Sequence, residues 1–221
     1  MKKSAKKNDL DEKKAGKKKE PKELKVKLGR RFNRAFEFAA KKHGTQTRKA
    51  STIPYVAHLL GVASLVLEAG GDEDLAIAAL LHDVVEDCGG KPMLKKIRHK
   101  FGKRVAQVVD GCTDAYATPK PPWKERKVAY LKRLQHEDDG TRLVSAADKL
   151  HNARSIVADY REIGDAIWER FNGKREGTLW YYRAMVDEFM KRKPNRVSRD
   201  LDLVVNEMEA LSQARKPAVR G

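Results

Sequence analysis

The stretch Leu80-Leu81-His82-Asp83-Val84-Val85-Glu86-Asp87 decides how the chain is read. It closes the longest apolar run in the sequence, Leu75 to Leu81, and plants four ionisable groups directly after it. Asp72 stands where a helix N-cap belongs, and Ala76, Leu80 and Val84 follow at helical spacing, so the pattern predicts one helix from Asp72 to about Asp87. On that helix His82 lies over Glu86 and Asp83 over Asp87, because residues four apart share a face. Four ionisable side chains on an otherwise apolar element are unfavourable unless something positive binds among them.

Outward from this stretch the same period recurs. Arg31 to His43 carries Phe32, Ala35, Phe36 and Ala39 as a stripe, and Gly44 stops it. Thr45 to Thr52 is a polar loop, and Pro54 opens a helix that ends at Gly70-Gly71. Further helices are predicted at Pro92–Phe101, around Val105–Val109, and at Trp123–His136 with Val128, Leu131 and Leu134 on one side. After an Asp138-Asp139-Gly140 turn, a long helix runs from Thr141 to about Tyr160, burying Leu143, Ala146, Ala147, Leu150 and Ala153. Helices at about 164–171, 175–192 and 197–213 complete the pattern. No clear period-2 run is bounded by hairpin turns, so the fold class is all-α.

Length and charge bound the rest. At 221 residues the chain suits one domain with a tail. No run of about 18 apolar residues occurs, which excludes a transmembrane helix and leaves no membrane partner. Cys88 and Cys112 are the two cysteines and form no CxxC pair, which excludes thiolate zinc ribbons and disulfide scaffolds and fits a cytoplasmic setting. Lys and Arg number 48 against 31 Asp and Glu, a net of +17, of which 12 Lys less 5 acids place +7 in residues 1–27. That segment has no apolar period and is expected to be disordered. It is either a solvated extension, the favoured reading, or a surface for nucleic acid.

Two more inward groups join the central stretch. His58 lies on the helix opened by Pro54, and Asp148 lies in Ala146-Ala147-Asp148-Lys149-Leu150-His151-Asn152. Taken singly, His58 reads as a core histidine, Asp148 as a salt-bridge partner, and Glu86 with Asp87 as an acidic helix end. Taken together, His58, His82, Asp83 and Asp148 offer imidazole and carboxylate donors from three helices, a set that suits Mn, Fe, Co, Ni or Zn better than Ca.

With these residues in view, the sequence resembles the HD-domain hydrolases, named for adjacent His-Asp metal ligands. It is most similar to the hydrolase domain of the RelA/SpoT homologues and to the small alarmone hydrolases. The matching segments are Arg48-Lys49, Pro54 to His58, Leu80 to Asp87, Phe101-Gly102 with Val105, Gly111 to Asp114, and Ala147 to Arg154. Together they run from about residue 30 to 160.

The resemblance implies an HD-domain helical bundle over residues 28–195, followed by a C-terminal helix and short tail at 196–221. It implies a metal, usually Mn2+, on His58, His82, Asp83 and Asp148, with Glu86 and Asp87 assisting the attacking water. The implied reaction removes pyrophosphate from the 3′ position of (p)ppGpp to give GDP or GTP. Arg48 and Lys49 then lie near base and phosphates, and Asn152 contacts the sugar region. Lys149 and Arg154 either compensate substrate charge or are surface charges at a helix end. The sequence departs from the pattern at Cys88, where Thr is common, and at Lys149, where Arg is frequent. Two other readings stay open: an HD-type phosphohydrolase of another nucleotide such as (p)ppApp or a dNTP, and a nucleotide- or RNA-binding protein working through its basic tail.

Overall fold

A computed structural model describes residues 26–116 and 119–214, so the segment expected to be disordered falls, except for residues 26 and 27, outside the described residues. Among the described residues ten α-helices form in chain order: α1 (Arg30–His43), α2 (Val56–Glu68), α3 (Glu73–Leu81), α4 (Val84–Cys88), α5 (Gly90–Phe101), α6 (Lys103–Cys112), α7 (Trp123–Leu134), α8 (Asp139–Ile163), α9 (Lys174–Lys191) and α10 (Arg196–Ala214). A 3-10 turn, Gly164–Arg170, links α8 to α9. Among the described residues the sole extended pairing is one isolated bridge between Thr47 and Pro54. The all-α expectation holds.

Two helices organise the rest. In α3 every residue from Leu75 to Leu81 is buried, and its three alanines allow α1, α2, α6 and α8 to approach closely. The α8 helix carries the stripe expected of it, with Leu143, Ala146, Ala147, Leu150 and Ala153 all buried, and packs against α2, α3, α6, α9 and α10. The Asp72 side chain caps α3 by accepting from the Leu75 N–H at 3.1 Å, a contact of about 1 kcal/mol. Asp138 caps α8 in the same way through the Thr141 N–H at 2.7 Å, so Asp139-Gly140, expected as a turn, is the helix's first turn. At the α5–α6 junction Gly102 takes a φ of 98°, a conformation side-chain-bearing residues rarely adopt.

Three local expectations are corrected. Phe36 is 38% exposed, and its expected place on the inward face is taken by Phe38, which packs against the core as Phe32 does and meets Phe101 edge-on at 5.7 Å. In α7 the buried pair is Tyr130 and Leu134, with Leu131 packed more loosely beside them. The helix predicted to run unbroken from Asp72 to Asp87 is interrupted at His82-Asp83, and α4 begins at Val84. The cause is local: the His82 Nδ1–H donates to the Ala79 carbonyl at 2.8 Å and so engages the acceptor on which the helix would continue.

Candidate metal centre and adjoining cavity

The first turn of α2, the end of α3 and the middle of α8 meet at one point. His58 comes from α2, His82 and Asp83 from the break after α3, and Asp148 from α8. His58, His82 and Asp148 each offer a donor atom within 4.8 Å of the others. His58 Nε2 lies 3.2 Å from Asp148 Oδ1 and 3.6 Å from Asp83 Oδ2. His82 Nε2 lies 2.9 Å from Asp83 Oδ2 and 3.6 Å from Asp148 Oδ1. Both imidazoles are buried.

Short as these distances are, neither Nε2 has a hydrogen-bond partner. Each ring spends its Nδ1 elsewhere, His82 on the Ala79 carbonyl and His58 on His151 Nδ1 at 2.9 Å. Two buried nitrogens facing two carboxylates without a hydrogen bond are what a cation between them would satisfy. The donor set fits a divalent ion. The electrostatics agree: burial opposes charge on His82, yet Asp83 and Asp148 hold it protonated well above its ordinary 6.5. Burial likewise opposes ionisation of the two carboxylates. His82 and His58 hold Asp83 well below the usual carboxylate range, and Lys149 with the same histidines does so for Asp148.

A ring of polar contacts holds the carboxylates. The Tyr55 hydroxyl donates to Asp83 Oδ2 at 2.6 Å, and burial together with the Asp83 charge pushes its phenol far up, so it stays a donor. Asp148 accepts from Lys149 Nζ at 2.5 Å and from Asn152 Nδ2 at 2.6 Å. Arg48, 104 residues away in sequence, donates to Asn152 Oδ1 at 2.6 Å. Asp87 accepts from Gln46 Nε2 at 3.0 Å, and burial with the Asp83 charge raises its carboxyl. Glu86 turns to the loop after α6, accepting from the Asp114 N–H at 3.2 Å and from Lys120 Nζ at 2.7 Å. The Asp87 N–H reaches the Asp83 carbonyl at 2.9 Å as the first helical bond of α4, so that pair keeps its i, i+4 spacing beyond the break.

Beside this centre opens a cavity of about 670 Å³. His58, Arg48, Lys49, Lys149 and Asn152 line it, as does Lys127 from α7. Its apolar wall is Trp123, Phe171, Tyr181 and Tyr182, so the aromatic cluster of α9 serves both the core and the cavity. Arg154 is not brought there. It lies exposed, 3.4 Å from Asp200 on α10, because six residues along α8 from Asp148 turn it away from the inward face. Sequence reasoning gave no role to Tyr55, Gln46, Lys127 or His151. Only His151 carried a usable signal, its i+3 spacing from Asp148.

An all-α bundle whose helices bring two imidazoles and two carboxylates to one buried point belongs to the class that holds a divalent cation between helices. The chain belongs to the HD domain family, whose model matches residues 35–179. It is 38% identical over 125 residues to the guanosine-3′,5′-bis(diphosphate) 3′-pyrophosphohydrolase MESH1 of Homo sapiens, a match covering 55% of this chain and 67% of the relative. It is 37% identical over 128 residues to the guanosine-3′,5′-bis(diphosphate) 3′-pyrophosphohydrolase of Aquifex aeolicus, covering 57% of this chain but 18% of that longer protein. Among solved structures it resembles a metazoan orthologue of SpoT described as hydrolysing ppGpp. There the TM-score is 0.68 and the identity 26%, with 82% of this chain and 97% of the other covered.

Proposed function

We propose that this chain is a divalent-metal-dependent hydrolase that removes pyrophosphate from the 3′ position of (p)ppGpp-like alarmones, leaving GDP or GTP. The observation that carries the reading is the convergence of two buried, partnerless Nε2 atoms on Asp83 and Asp148 beside a basic cavity that His58 lines. The likeness to pyrophosphohydrolases supports the substrate class. Every residue of this reading falls within the unit expected at 28–195.

In this reading His58, His82, Asp83 and Asp148 hold the ion. Mn2+ is our assignment, since imidazole with carboxylate suits a first-row transition metal. A bound divalent cation supplies Lewis-acid stabilisation of phosphoryl charge and makes water nucleophilic near neutral pH. Hydrolysis adds water across the P–O3′ bond: phosphorus gains the hydroxyl oxygen and the ribose regains its 3′-hydroxyl. Asp87, whose carboxyl is raised toward proton acceptance, takes the water's proton and gives it up again to the leaving O3′, with Glu86 beside it in the sequence as the second base. Arg48, Lys49, Lys127 and Lys149 face the substrate's negative charge, and the aromatic wall offers a surface for a base. Arg48 also ties the phosphate side to the centre through Asn152 and Asp148. Two free cysteines fit a reducing, cytoplasmic setting.

The test is a product assay with Mn2+ on ppGpp, ppApp and dGTP, separating pyrophosphate from phosphate release. Pyrophosphate from ppGpp is the expected product. Asp83→Ala is expected to lower turnover by about three orders of magnitude, the several kcal/mol that a positioned metal supplies. Full activity in that variant would remove Asp83 from the site.

A further inference from the structure

The geometry points to His151 as a positioning residue: its Nδ1 accepts the His58 Nδ1 proton and thereby fixes the tautomer that leaves the His58 Nε2 lone pair free for the cation. The inference rests on the metal-centre reading above and deepens it.

The argument begins with what each imidazole needs. To donate from Nε2, a neutral histidine must carry its proton on Nδ1, and that proton needs an acceptor. His82 sits at the C-terminal end of α3, where the backbone supplies one, and its Nδ1 lies 2.8 Å from the Ala79 carbonyl. His58 sits in the first turn of α2. The corresponding carbonyl there, that of Tyr55, already accepts the backbone N–H groups of His58 at 2.9 Å and Leu59 at 3.5 Å. The acceptor for His58 therefore comes from a side chain, and the group at its Nδ1 is His151 Nδ1, 2.9 Å away and 93 residues along the chain.

The surroundings are shaped to keep that ring in place. A Cβ on Gly61 would lie 2.2 Å from His151 Cδ2 and 2.3 Å from its Nε2, so α2 leaves space for the imidazole only because residue 61 has no side chain. The two rings meet edge to face at a centroid distance of 4.8 Å. On α8, Asp148 faces the Nε2 atoms of His58 and His82, His151 at i+3 faces His58, and Asn152 at i+4 donates to Asp148 at 2.6 Å. One helical turn thus supplies a donor atom and the orienting partners of two. His58 and His82 are oriented by different means, a side chain for one and the backbone for the other, so only the first can be removed by mutation.

Two measurements on the full chain test this. Mn2+ affinity by calorimetry compares His151→Asn, which keeps an acceptor near the Nδ1 position, with His151→Leu, which has none. The Asn variant is expected to stay within about 3-fold of the parent and the Leu variant to weaken about 10- to 100-fold, the usual effect of removing a ligand's orienting partner. Equal affinities in the two variants, or equal losses, would overturn the assignment. Should the Leu variant fail to fold, ring-nitrogen NMR of the unaltered protein loaded with diamagnetic Zn2+ decides. A His58 proton on Nδ1 coupled across the hydrogen bond to His151 Nδ1 supports the role, and an unprotonated His58 Nδ1 refutes it. If the folded parent chain takes up neither ion, the metal centre itself is wrong, a result distinct from a failure of His151 alone.

Discussion

Asp83 is gripped from two directions: His82 lies 2.9 Å from its Oδ2, and the Tyr55 hydroxyl donates to the same oxygen at 2.6 Å. A hydrogen bond to a charged carboxylate is among the stronger kinds, and here it sets where the oxygen points. Tyr55→Phe keeps the ring stacked on His43 at 4.7 Å and removes only the hydroxyl. It should therefore weaken Mn2+ binding about 10-fold with little loss of fold, which calorimetry and circular dichroism together would establish. An unchanged affinity would mean that Asp83 holds its orientation without help. At this scale the residue types in the sequence named the four groups that converge, but not the chain Arg48–Asn152–Asp148. A contact spanning 104 residues has no local signature. Arg154 marks the opposite case: its closeness to Asp148 in sequence suggested a role that the helical turn denies.

At the level of elements, the seam between α2 and α8 carries most of the site, and Gly61 sets its spacing. In an isolated helix Gly→Ala stabilises by about 1 kcal/mol. Here the new Cβ meets a rigid, hydrogen-bonded imidazole at 2.2 Å, so the sign reverses. Gly61→Ala is expected to destabilise by about 1–3 kcal/mol, as overpacking does, and urea unfolding of the metal-free protein would measure it. Stabilisation would show that the seam can open without strain. Helical period placed the ends of α1, α2 and α5 within a few residues, because Gly and Pro punctuate them. It missed the break at His82-Asp83, where a side chain rather than a breaker residue engages the backbone carbonyl.

For the whole molecule the governing quantity is how the centre balances charge. Burial alone would lower the His82 pKa, yet Asp83 and Asp148 raise it well above 6.5. A group raised in the folded state contributes stability that is complete below its unfolded value and is lost as pH climbs through the folded one. Asp83 and Asp148, held well below 3.8, contribute above that value and lose their effect as acid protonates them. The metal-free chain should therefore be most stable between these limits. A divalent ion must displace the His82 proton, so its affinity should rise with pH up to the raised folded value and level off above it. Calorimetry at pH 7 in two buffers of different ionisation enthalpy should report close to one proton released per ion, and none in His82→Asn. A parent protein that releases no proton would mean that His82 is not charged before the ion arrives.

The sequence by itself determined the helical class, the boundaries marked by Gly, Pro and capping Asp, and the identity of His58, His82, Asp83 and Asp148 as groups too polar for the apolar faces they share. These follow from spacing and composition, which act over one or two turns. The tertiary structure alone decided which side chains orient those groups: Tyr55 on Asp83, His151 on His58 and Arg48 through Asn152. It also placed Lys127 and the aromatics of α9 on the cavity wall and left Arg154 outside. Those contacts join residues brought together only when α2, α3, α8 and α9 close on a common core.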